Sequence, residues 1–119
     1  MTINVDIWLR GTDFARTEPV EGVAEPDVWT DEDVRAVLEG MLQAMHRLKH
    51  PGDAERPPIA LRGLSWIVNP YEEGGVVIAI EITMGAAIAG PFNIDKGALE
   101  GMISRVIARP AAPPGSTVH

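Results

Sequence analysis

Ile3, Val5, Ile7 and Leu9 alternate with Asn4, Asp6, Trp8 and Arg10, the period-two pattern of a half-buried strand. Gly11 ends it. Positions 11–29 lose all periodicity and carry Pro19, Gly22 and Pro26 among Glu18, Glu21, Glu25 and Asp27, which predicts a long acidic loop. Phe14, Val20, Val23 and Trp29 are the residues in it able to pin it to the body. Thr30 then stands before Asp31, Glu32 and Asp33, a capping hydroxyl followed by carboxylates suited to the positive end of a helix. Val34, Val37, Leu38, Met41, Leu42, Met45 and Leu48 continue at helical spacing, and Lys49-His50-Pro51-Gly52 supply the stop.

The second half alternates again. Positions 50–58 form a polar, proline-rich connection, and a strand is predicted from about Ile59 to Asn69 with a bulge near Gly63, where the alternation changes phase. Asn69 to Gly75 reads as a turn. Val76, Ile78, Ile80, Ile82 and Met84 then alternate with Val77, Ala79, Glu81 and Thr83, the strongest strand pattern in the chain, paired with the previous strand as a hairpin. Gly85 to Gly90 either extends this strand or bends into a short additional one, and Pro91 breaks it. Asn93 or Asp95 caps a second helix with Leu99, Met102, Ile103, Val106 and Ile107 on one face, ended by Pro110. The order is β-α-β-β-(β)-α. It predicts an α+β fold with a small antiparallel sheet of three or four strands and both helices on one face. Residues 1–109 make a single domain, and 110–119 a proline-rich tail.

Composition narrows the function. A chain of 119 residues with 45% hydrophobic content supports one real core. It contains no cysteine, which removes disulfides, thiolate metal sites and cysteine nucleophiles and fits a reducing, cytoplasmic setting. No signal-peptide pattern opens it, and the weakly polar run 74–92 is interrupted by Glu81, so neither export nor a membrane partner is expected. Seventeen acidic against ten basic residues, the basic ones scattered, argue against nucleic acid.

Candidate chemistry is sparse. Ala36, Gly40 and Ala44 on the first helix, and Gly97, Gly101 and Ser104 on the second, form stripes of small residues. Mid-helix glycine costs about 1 kcal/mol against alanine, so the stripes predict close helix packing, within the molecule or between subunits. His46 and His50 share a helix face with Glu39 and Gln43, but the stripe points to solvent and lacks a His-Glu-x-x-His pattern, so no metal is expected. Gly85 and Gly90 have the spacing of a phosphate loop, yet Pro91-Phe92 stand where its lysine and hydroxyl belong, and no cofactor is expected. Ser65 and Ser104 lack a nucleophile-elbow context, so no catalytic residue is assigned.

One face of the sheet is more informative. Trp8, Val77 and Ala79, with Trp66 or Ile67 depending on the bulge, point away from the core side. Such a face is too apolar to be left wholly in water. It is covered either by positions 11–29 or 110–119 or by another protein. The leading expectation is therefore a non-catalytic protein–protein interaction or assembly module: an adaptor, inhibitor, immunity-type or structural component, binding another protein or itself as an oligomer. The alternative is a small-molecule-binding domain or minor enzyme with a site near Gly85–Gly90 and Arg62 or Glu81.

Overall fold

The computed structural model describes residues 1–52 and 60–108. Five strands and two long helices follow in order: β1 (Ile3–Leu9), β2 (Arg16–Val20), a 3-10 turn (Pro26–Val28), α1 (Asp31–Lys49), β3 (Ser65–Pro70), β4 (Val76–Ile82), β5 (Gly85–Phe92) and α2 (Lys96–Ala108). The sheet is antiparallel throughout, with strands in the order β2-β1-β5-β4-β3. The α+β class matches the periodicity. The strand count does not, and two segments account for the difference.

The first is the acidic loop. Its residues Arg16–Val20 form β2, which pairs with β1 from Ile3↔Val20 to Ile7↔Arg16. Alternation is illegible there because the strand is short, mostly exposed and contains Pro19. The remainder of the segment anchors as expected. Val23 and Trp29 are buried, the Trp29 indole N–H donates to the Ala24 carbonyl at 2.7 Å, and its ring lies 4.9 Å from that of Phe92. Phe14 is the exception and stays exposed. The second segment is the glycine run. Thr83 and Met84 make a two-residue turn, and β5 runs through Pro91 to Phe92 instead of stopping before it.

The strand expected from Ile59 begins only at Ser65. Residues 61–64 are a turn closed by Leu64 N–H on the Leu61 carbonyl, with Gly63 at φ 82°, so the change of phase marks a turn and not a bulge. The bulge lies elsewhere, on β5, where Gly90 and Pro91 stand opposite Val77 of β4. The connection at 53–59 and the tail at 110–119 lie outside the described residues.

Both helices pack on one face of the sheet, α1 over β1, β2 and β5, and α2 over β3. Ile3, Val5 and Ile7 of β1, Val76, Ile78 and Ile80 of β4, and Ala87, Ala89 and Phe92 of β5 meet Val34, Val37, Leu38, Met41 and Met45 of α1 and Leu99, Ile103 and Val106 of α2 in one core. Leu9, Ile82 and Met84 sit at its margin. Among the described residues no helix is long and apolar enough to cross a membrane.

Candidate functional site

The register of the sheet arranges its second face in rows. Ser65, Glu81, Ala86 and Trp8 stand side by side across β3, β4, β5 and β1. Ile67, Ala79, Ile88 and Asp6 form the next row, which Thr17 of β2 continues, and Val77 pairs with Asn69 beyond it. Because side chains alternate, every one of these points away from the helices. The centre of the face is apolar. Ile67 is 52% exposed and Trp8 40%, and both belong to the largest exposed hydrophobic side chains of the protein.

Polar groups sit at the margins. The Thr17 hydroxyl donates to the Asp6 carboxylate at 2.7 Å, which ties β2 to β1 and satisfies one oxygen of that carboxylate. Glu81 stands between Ser65 and Ala86. Between Ile67, Ala79, Ala86 and Ile88 the surface dips into a shallow, open depression of about 340 Å³ with Ser65 and Glu81 on its lining.

The structure decides which residue of each alternative pair faces out. Ile67 lies on the open face, whereas Trp66 turns inward and packs at the edge of the core. Trp8, Val77 and Ala79 lie where the alternation places them. Ala86 and Ile88 belong to the same face and are absent from the sequence reading. Their signal is the alternation of Ala86 and Ile88 against Ala87 and Ala89, hidden because the sequence leaves open whether the segment extends the previous strand or forms one of its own. Positions 11–29 do not cover this face. Their β2 extends the sheet sideways, and Val23 and Trp29 join the helical side.

The small-residue stripes do not form a seam between the helices. A Cβ on Gly40 would lie 2.8 Å from Cγ1 of Val20, so this glycine admits β2 against α1. Gly101 meets only the Arg105 side chain and Gly97 only that of Asp95, while Ala36 and Ser104 are exposed and Ala44 is buried. The helices meet in the shared core and are also joined through polar contacts. Arg105 forms a bidentate pair with Asp31, both bonds at 2.9 Å, and Arg35 donates to the Val106 carbonyl at 3.3 Å. The hydrogen bond and charge of Asp31 push the Arg105 guanidinium above its ordinary pKa.

The ligand-site candidates are brought together only in part, for Glu81 pairs with Ala86, the neighbour of Gly85. Gly85 and Gly90 lie towards opposite ends of β5, and each is explained by strand contact. A Cβ on Gly85 would collide with the Trp8 carbonyl, and one on Gly90 would lie 2.9 Å from that of Val76. Arg62 is exposed in the turn before β3. A groove of about 420 Å³ lies beside Glu81, lined also by Arg10 and Thr83, with Arg10 donating to the Thr83 carbonyl at 3.0 Å. The N-terminus of α2 is occupied by Asp95, whose carboxylate accepts from the Ala98 N–H at 2.9 Å. The rings of His46 and His50 lie 4.7 Å apart. Among the described residues no group of three or more His, Asp and Glu side chains is placed to hold a metal ion. Set against protein-family models, curated proteins and solved structures, the chain matches none of them.

Proposed function

We propose that the protein is a non-catalytic protein–protein interaction module that works through the open face of its sheet. The observation that carries this reading is the row Ile67–Ala79–Ile88 with Trp8 beside it, an apolar surface that no described residue covers. Burying a large apolar side chain contributes roughly 1.5–3 kcal/mol, so a partner that covers Trp8, Ile67 and Ile88 gains a centre of binding energy. The partner is another protein or a second copy. The lack of cysteine supports a cytoplasmic site of action.

The test is Trp8→Glu, followed by light scattering and by a thermal melt. An exposed anchor predicts an unchanged melting temperature, since surface substitutions shift stability by about 0.5 kcal/mol or less, together with loss of association. A lowered melting temperature with association intact would mean that the chain covers Trp8 itself, with 110–119 as the segment to remove next. Retention of both properties would eliminate this face as the working surface.

The rival reading, a small-molecule site or minor enzyme, draws support from the depression beside Glu81. Ligand pockets pair an enclosing apolar wall with a few convergent polar groups. This depression is shallow and offers Ser65 and Glu81.

A further inference from the structure

The two edges of the sheet differ in kind. An edge strand presents unpaired N–H and C=O groups and is a template for another strand unless it is blunted. β2 is blunted: its five residues include Arg16, Glu18 and Pro19, and proline has no N–H to offer. β3 is not. Its six residues, Ser65-Trp66-Ile67-Val68-Asn69-Pro70, contain no charge, and proline appears only at the last position. No described strand pairs with its outer side.

The pattern of β3 is also its own complement. Around Ile67 the strand reads symmetrically: Ser65 and Asn69 flank it on the open face, Trp66 and Val68 on the core side. Residues directly opposite in an antiparallel pair share a face, so a copy of β3 can join only in registers that match outward with outward residues. The register centred on Ile67 satisfies this along the strand. It sets the exposed Ile67 side chains of two copies against each other, Ser65 against Asn69, and Trp66 against Val68. Charge points to the same edge. Two copies of a chain with a formal net charge of -7 repel, and an uncharged strand is where they approach at least cost. On the helical side, α2 lies over β3, and its exposed residues include Gly97 and Ser104 as well as Lys96 and Arg105.

We infer that β3 pairs antiparallel with β3 of a second copy about a two-fold axis at Ile67, joining two sheets into one ten-stranded sheet. This deepens the interaction reading, on which it rests, by naming the partner at one border of the open face. The joined sheet merges two apolar faces into a continuous surface.

The absence of cysteine makes the test direct. Opposed residues of an antiparallel pair have Cβ atoms about 4.5–5.5 Å apart, within reach of a disulfide after small adjustment. Ile67→Cys is expected to oxidise to a covalent dimer. Ser65→Cys mixed with Asn69→Cys is expected to give the crossed dimer, which covers the case of a poorly folded Ile67 variant. Thr17→Cys, on the other edge, and Ala79→Cys, on the face, are expected to stay uncross-linked. Wild type is expected to sediment as a dimer. A monomer in sedimentation with no cross-link at Ile67 or in the mixed pair overturns the inference, as does cross-linking equal at Thr17 or Ala79. Trp8→Glu separates the two readings, because β5 and β4 lie between Trp8 and β3. If that variant loses its partner while Ile67→Cys fails to cross-link, the pairing is wrong and the face reading stands. If Ile67→Cys cross-links and Trp8→Glu changes nothing, the pairing stands and the face reading falls.

Discussion

Gly85, Gly40 and Gly101 look alike in the sequence and do three different things. Gly85 sits where β5 passes the Trp8 carbonyl, and no side chain fits there. Gly85→Ala is expected to cost at least the roughly 1–3 kcal/mol of an overpacked core, read as a lower midpoint in urea. Gly40 faces Val20 at 2.8 Å from a hypothetical Cβ, so Gly40→Leu should lose a similar amount by pushing β2 off α1. Gly101 meets only a flexible arginine tip. Gly101→Ala should raise stability by about 0.5–1 kcal/mol, since alanine is the better helix former and nothing rigid stands in its way. Denaturant melts of the three variants check the assignments together. Glycine spacing alone could not separate these cases. It shows that the backbone is bare, and only the fold shows which neighbour uses the space.

At the scale of elements, legibility followed pattern strength. α1 was readable to its ends because Thr30 and Asp33 form a reciprocal capping box, with Asp33 N–H on the Thr30 hydroxyl at 3.4 Å and Thr30 N–H on the Asp33 carboxylate at 2.8 Å. Thr30→Ala is expected to cost about 1 kcal/mol in chemical denaturation without changing the slope of the transition. β1 and β4 were legible because each turns an alternating apolar row into the core, and the β3–β4 hairpin followed from its turn. β2 was not, because Arg16, Glu18 and Pro19 are poor strand residues held there by pairing with β1. The start of β5 was obscured by alanine, a strong helix former that is depleted in strands, and was settled by its position between β1 and β4. The open face was half readable for the same reason: Trp8, Val77 and Ala79 come from clear strands, Ala86 and Ile88 from the obscure one.

For the molecule as a whole, helices on one face of the sheet leave the other as the natural place for contact. Two carboxylates, Asp6, already bonded to Thr17, and Glu81, stand on the rows that hold the apolar side chains. Association of two acidic copies through the uncharged β3 edge would have a definite salt dependence. Added salt screens the mutual repulsion, with a Debye length of about 10 Å at 0.1 M, while leaving apolar contact intact. The dimer dissociation constant is therefore expected to fall as ionic strength rises, measured by sedimentation at several salt concentrations. A rise would indicate that ion pairs hold the copies together.

The strand at the middle of the sheet is the last of the described strands. β5 alone joins the β1–β2 hairpin to the β4–β3 hairpin, and it does so through pairs as distant in sequence as Val5 and Ala89. Each hairpin can form locally and quickly, but neither completes a core. The loop that brings β1 to β5 must close over α1 and both later strands, and such long-range pairing slows folding. A ribosome making this chain would thus release most of the sheet before its centre exists, leaving the inner edges of β1 and β4 exposed until β5 arrives. Substitutions in β5, such as Ala87→Gly, should then act mainly on the folding rate, whereas substitutions in β2 should act mainly on unfolding. Stopped-flow refolding of the two classes of variant would show this as opposite arms of the chevron moving.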